Sequence, residues 1–96
     1  MPAAARRGDA GVPHCSPYVI ATASADVVIN GRGAARVGDT SASHLRPAGK
    51  RCGGHIAPII SGSSSVLING RPAARVGDPL AACTRVASGS SDVIIG

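Results

Sequence analysis

Ten residues are written twice in this chain. NGRGAARVGD runs from Asn30 to Asp39 and NGRPAARVGD from Asn69 to Asp78, one substitution apart at an offset of 39 residues. The likeness extends outward: SADVVINGRGAARVGDTSASH, from Ser24 to His44, aligns with SSSVLINGRPAARVGDPLAAC, from Ser63 to Cys83. A third copy can be pieced together from the two ends of the chain. AARRGDAGVPH at Ala4–His14 matches AARVGDTSASH at Ala34–His44, and SSDVIIG at Ser90–Gly96 resembles SADVVIN at Ser24–Asn30. A repeat of this kind limits the fold to one supersecondary unit used about three times, because each unit buries its apolar face only against its neighbours.

Each unit reads as β structure. DVVI and SVLI are short β-branched runs, and Asn30-Gly31 and Asn69-Gly70 tolerate the positive φ of a type I′ hairpin turn. AARV then reads as the return strand, its small alanines allowing close packing. Gly8-Asp9, Gly38-Asp39 and Gly77-Asp78 close the three units with turn chemistry. Pro72 stands beside its turn, where a missing N–H is tolerated. No window holds a helical period, and Gly and Ser interrupt the chain too often for long helices. The expected fold is a single all-β domain over residues 1–96, built from short β-hairpins with pseudo-threefold internal repeats.

Such a domain needs a staple. It has no Phe or Trp, and its one aromatic ring of that type is Tyr18, so its core must be made from Val, Ile, Leu and Ala. Three cysteines, Cys15, Cys52 and Cys83, cannot pair completely, which favours a reducing compartment or metal ligation over one disulfide with one free thiol. The repeat register points to the latter. Five residues after each turn aspartate comes a metal-capable side chain: His14 after Asp9, His44 after Asp39, Cys83 after Asp78. Packed around a threefold axis, these three converge. Tetrahedral structural zinc takes four N or S ligands. The candidates for the fourth are His55, Cys52 and Cys15, in or near irregular segments between the repeated ones. His55 is preferred because Gly53-Gly54 lets the backbone approach a crowded site, with Cys52 in reserve. Four protein ligands would close the site and make one zinc ion structural rather than catalytic.

Other classes fit less well. The net charge of +5 raises nucleic acid as a partner, but the arginines are scattered singly through turns and stacking platforms are nearly absent. An enzyme would need an open metal position and a general base, and the chain has no Glu. SGSSS at Ser61–Ser65 reads as a polar loop before a strand, and the three Gly-Asp aspartates as turn caps. Arg6-Arg7 is followed by no apolar run, so neither a signal peptide nor a membrane-spanning segment is expected, and a dedicated machine would have to carry the protein out of a cell.

The setting VLINGRPAARVGD, with Pro72-Ala73-Ala74-Arg75 at its centre, resembles the motif of PAAR-repeat proteins, and the resemblance extends over nearly the whole chain. The first copy departs from it with Gly33-Ala34-Ala35-Arg36, and the N-terminal one, Pro2-Ala3-Ala4-Ala5-Arg6, has an extra alanine. The resemblance implies a cone-shaped β structure on the tip of a type VI secretion spike, with zinc near its apex held by His14, His44, His55 and Cys83. It implies one tip per trimeric valine-glycine-repeat spike protein, and a base made from Val27, Val28, Ile29, Val66, Leu67, Ile68, Val93, Ile94 and Ile95. A fused effector is not expected, because the chain stops directly after the last strand motif. The tip would pierce alone or carry a separate effector or adaptor, being made in the bacterial cytoplasm and exported without a signal peptide. No nucleic acid and no stable membrane insertion are expected. The rival reading is a free-standing zinc-binding adaptor.

Overall fold

A computed structural model describes residues 2–13, 16–48, 51–81 and 83–96. They form three antiparallel hairpins: β1 (Val28–Ile29) with β2 (Arg32–Gly33), β3 (His44–Ala48) with β4 (Arg51–His55), and β5 (Leu67–Ile68) with β6 (Arg71–Pro72). No helix is present among the described residues, and so none is long and apolar enough to cross a membrane. The turns of the first and third hairpins are those expected of Asn-Gly: φ is 53° and 78° at Asn30 and Gly31, and 53° and 77° at Asn69 and Gly70.

AARV does not extend these hairpins. Each ladder is two residue pairs long, and the following alanines turn to neighbouring units instead. Ala5 N–H donates to the Ala74 carbonyl (3.0 Å), Ala74 to Ala35 (2.9 Å) and Ala35 back to Ala5 (3.0 Å), a closed triangle of backbone hydrogen bonds. The bridges Arg6↔Ala34, Arg36↔Ala73 and Ala4↔Arg75 repeat the same cycle. The split unit is therefore real: Ala4 donates to Val93 as Ala34 does to Val27 and Ala73 to Val66. The body measures 40 × 24 × 23 Å, with two nearly equal short axes, as a threefold arrangement about the long one requires.

Alanine is dictated by this triangle. Ala4, Ala5, Ala34, Ala35, Ala73 and Ala74 are all buried where three backbones approach one another, leaving room for a methyl group and little more. On one side of them lies a cluster containing Ile20, Ile59, Val86, Leu80 and Tyr18; on the other lies one containing Ile68 and Ile95, flanked by Ile29, Val66 and Val93. Ile20, Ile59 and Val86 are equivalent, each N–H bonding the carbonyl of its own or a neighbouring unit's turn aspartate (Asp9, Asp39, Asp78). Burying each such side chain contributes about 1.5–3 kcal/mol.

Arg6, Arg36 and Arg75 are not loose surface charges. Each grips the aspartate three residues on through two side-chain bonds of 2.9–3.1 Å, while that aspartate accepts the arginine's backbone N–H at 2.7–2.8 Å. Burial opposes the charge on Asp39, but the bonds from Arg36 outweigh it and hold the carboxyl below its ordinary range. Units are then joined at their corners. Asn69 accepts from Ser24 (2.6 Å) and Arg36 (3.0 Å) and donates to Asp26 (2.9 Å); Asn30 does the same with Ser90, Arg6 and Asp92. At the third corner Ser63 donates to the Gly96 carbonyl, which occupies the position of the asparagine. The serines also accept backbone N–H groups two and three residues on, so Ser63 in SGSSS is a buried turn former.

The one difference between the decamers has a steric cause. A Cβ on Gly33 would lie 3.1 Å from the Ala23 Cβ and 2.5 Å from the Ser24 carbonyl oxygen. In the other units the small residue sits across the contact: a Cβ on Gly62 would lie 3.1 Å from that of Pro72, and one on Gly89 3.2 Å from that of Ala3. Gly33→Pro should cost about 1–3 kcal/mol by overpacking. Adding Ala23→Gly, which reproduces the Gly62–Pro72 arrangement, should recover most of that loss in urea unfolding. Strict additivity of the two changes would refute the coupling.

The pH dependence follows from Asp39. A depressed folded-state pKa contributes stability that is complete above the unfolded value, about 3.9, and that fades as pH falls through the lower folded one. Acid unfolding monitored by circular dichroism should therefore begin only below about pH 4, and Asp39→Asn should flatten the dependence there while destabilising the protein at neutral pH by about 3–5 kcal/mol.

Candidate metal centre

The middle unit has a longer connection between its turn aspartate and its core isoleucine than the other two, and that connection is not irregular as the sequence reading expects. It is the longest hairpin described, β3–β4, whose register pairs His44 with His55, Leu45 with Gly54 and Pro47 with Cys52. The cross-strand register, rather than backbone freedom at Gly53-Gly54, is what brings His55 to His44. The two Nε2 atoms are 2.8 Å apart. Cys83, from the third repeat position, places Sγ 3.4 Å from His44 Nε2 and 3.6 Å from His55 Nε2. One donor atom from each of the three residues lies within 4.8 Å of the others, so the set could hold a metal ion.

The donors suit a cation. His44 Nδ1 lies 2.8 Å from the Ala42 carbonyl and 3.4 Å from Ser41 Oγ. A carbonyl only accepts, so Nδ1 carries the proton and Nε2 presents a lone pair toward His55 and Cys83. Two imidazole nitrogens this close need a positive centre between them, a proton or a metal. Bonds of about 2.0 Å to N and 2.3 Å to S in tetrahedral zinc set N and S ligands roughly 3.5 Å apart, close to the two Cys83 distances. The nitrogens would separate by about half an ångström on loading.

Of the four residues expected as ligands, the structure brings together His44, His55 and Cys83. His14 lies outside the described residues, as does Cys15. Cys52 takes its place in β4 opposite Pro47. The residue that the spacing gave no reason to include is Tyr18. Its ring stacks on that of His44, with centroids 4.0 Å apart and planes 15° apart, while His55 meets His44 edge-on at 4.3 Å. Burial pushes the Tyr18 phenol up to about 12, so it stays neutral. Its rank as the single aromatic of the chain was the available signal.

Three interlocked repeat units with a His/Cys cluster beyond their common core define a small repeat protein with a site that could hold a metal ion. The PAAR motif family model matches residues 49–96, and the chain belongs to that family. The family is associated with type VI spike-tip proteins and is structural rather than enzymatic. Comparison with curated proteins gives no match. The matched half contains the GRPAAR copy and the DVII segment, while the other half repeats them around the axis.

Replacing either histidine tests the cluster. His44→Ala and His55→Ala should each lower metal per chain in elemental analysis from about one to well below one. Each should lower Tm by on the order of 10 °C, since about 1 kcal/mol moves a domain of this size by 4–8 °C. Chelation of the parent protein should reproduce the shift.

Proposed function

We propose that this protein is the structural tip of a type VI secretion spike, stabilised by one zinc ion near its apex and seated, one copy per trimer, on a valine-glycine-repeat spike protein. His44, His55 and Cys83 would hold the zinc, with His14 as the fourth ligand that the repeat register supplies. A closed zinc site rigidifies the point and contributes folding energy. It gives the tip no chemistry to perform. The tip is made in the bacterial cytoplasm and leaves with the spike.

One observation carries the docking part of the reading. Val28, Leu67 and Ile94 occupy the same position in the three units, and they are 59%, 64% and 61% exposed. Their neighbours Ile68 and Ile95 point inward to the core that Ile29, Val66 and Val93 flank. Three equivalent apolar side chains around a pseudo-threefold body suit a threefold partner, which meets all three alike. Uncovered, they would be a liability for a soluble protein.

The test is stoichiometry and its loss. Light scattering should give one tip per spike trimer. Changing Val28, Leu67 and Ile94 together to Asp should weaken binding by about 100-fold or more, from lost burial, while metal content and circular dichroism stay as in the parent. Three tips per trimer, or undiminished binding by the triple variant, would sink this docking surface.

A further inference from the structure

We propose that Tyr18 is a positioning residue of the metal centre, holding the His44 imidazole in the orientation that a metal needs. This rests on the reading of the His44–His55–Cys83 cluster as a metal site. Tyr18 is buried and fixed at both ends. Its ring lies over Gly11, where an added Cβ would overlap it, so only glycine leaves the space. Its hydroxyl is 2.8 Å from Thr84 Oγ1, and Thr84 in turn donates to the Val12 carbonyl. With the threonine proton committed to Val12, the phenol donates to Thr84.

This anchoring joins the ligand-bearing segments. Thr84 directly follows Cys83, and the face of the Tyr18 ring lies against His44. The imidazole is thus held three ways: its plane by Tyr18, its Nδ1 edge by the Ala42 carbonyl and Ser41, and its Nε2 edge by the other donors. Ser41 is itself held, accepting the Ala57 N–H at 3.0 Å. Stacking fixes the one rotation that the Nδ1 bond leaves loose, tilting of the ring about the axis from Ala42 to the metal position. In a protein with one tyrosine and no Phe or Trp, that ring belongs to the core cluster and presents one face to His44.

The test compares the parent with Tyr18→Phe and Tyr18→Leu. Binding of zinc is read by competition with a chromophoric chelator, and the geometry by the visible spectrum of bound cobalt(II). Tyr18→Phe keeps the ring and should bind zinc within about 3-fold of the parent. Tyr18→Leu should bind about 10–100-fold more weakly, the usual loss for a group that orients a ligand, with a weakened or shifted cobalt band. Zinc should also change the tyrosine emission of the parent, which comes from Tyr18 alone. Equal affinity and an unchanged cobalt spectrum for Tyr18→Leu would overturn the proposal. So would a thermal loss in Tyr18→Leu that is the same with and without metal, combined with an unchanged cobalt band, since that pattern means core packing only. If the parent itself binds neither ion, the metal reading fails first and the positioning role falls with it.

Discussion

Three backbone amides arranged head to tail around an axis constrain everything else in this protein. The N–H groups of Ala5, Ala35 and Ala74 satisfy the carbonyls of one another in a closed ring, so no unit is complete without the other two. Such close approach leaves no space for side chains larger than methyl, which is why each unit spells Ala-Ala at the same place. It also divides the apolar residues into two small clusters, one on each side of the alanines. Neither cluster alone is a core of ordinary size. Domain stability is normally only 5–15 kcal/mol, so the buried Arg–Asp pairs at the turns and the His/Cys cluster beyond Tyr18 matter to whether the ring holds.

Those polar groups act locally and in kind. Each Arg–Asp pair closes one turn, and the pairs of Arg6 and Arg36 reach the neighbouring unit through Asn30 and Asn69. The third corner replaces the asparagine side chain by the Gly96 carbonyl, and Ser65 takes the position held elsewhere by Asp26 and Asp92. The symmetry is therefore that of the backbone, while the groups at the corners differ. A threefold partner would meet three equivalent apolar side chains but not three equivalent rims.

Much of this was legible in the sequence. The duplicated decamer gave the repeat, the Asn-Gly pairs gave the turns, and the ends of the chain gave the split unit. The register of His44 and Cys83 within the repeat marked two of the three clustered donors. What could not be read is instructive. The fate of AARV depends on hydrogen bonds between units, which no pattern within a unit reports. The arginines read only as single residues scattered through turns because an ion pair at i, i+3 across a turn has no periodicity to announce it. His55 was chosen for its glycines, whereas its place comes from a hairpin register, and HLRPAGKRCGGH lacks the alternation that signals a strand. Gly33 looked like a departure from the motif until Ala23, ten residues earlier, explained it.

The split unit also bears on how the chain reaches this state. Ala4 takes its partner from Val93 and Arg75, close to the full length of the chain away. The Ala5–Ala35–Ala74 ring cannot close until Ala74 has been made, and the Ala4 bond waits further, for Val93. The hairpins at Asn30-Gly31 and Asn69-Gly70 can form early from local contacts, but they must wait as separate pieces. Contacts of such long sequence separation carry a large loop-closure cost and slow folding. The segment from Pro2 to Asp9 is thus made well before its partners and is among the last parts to find its place.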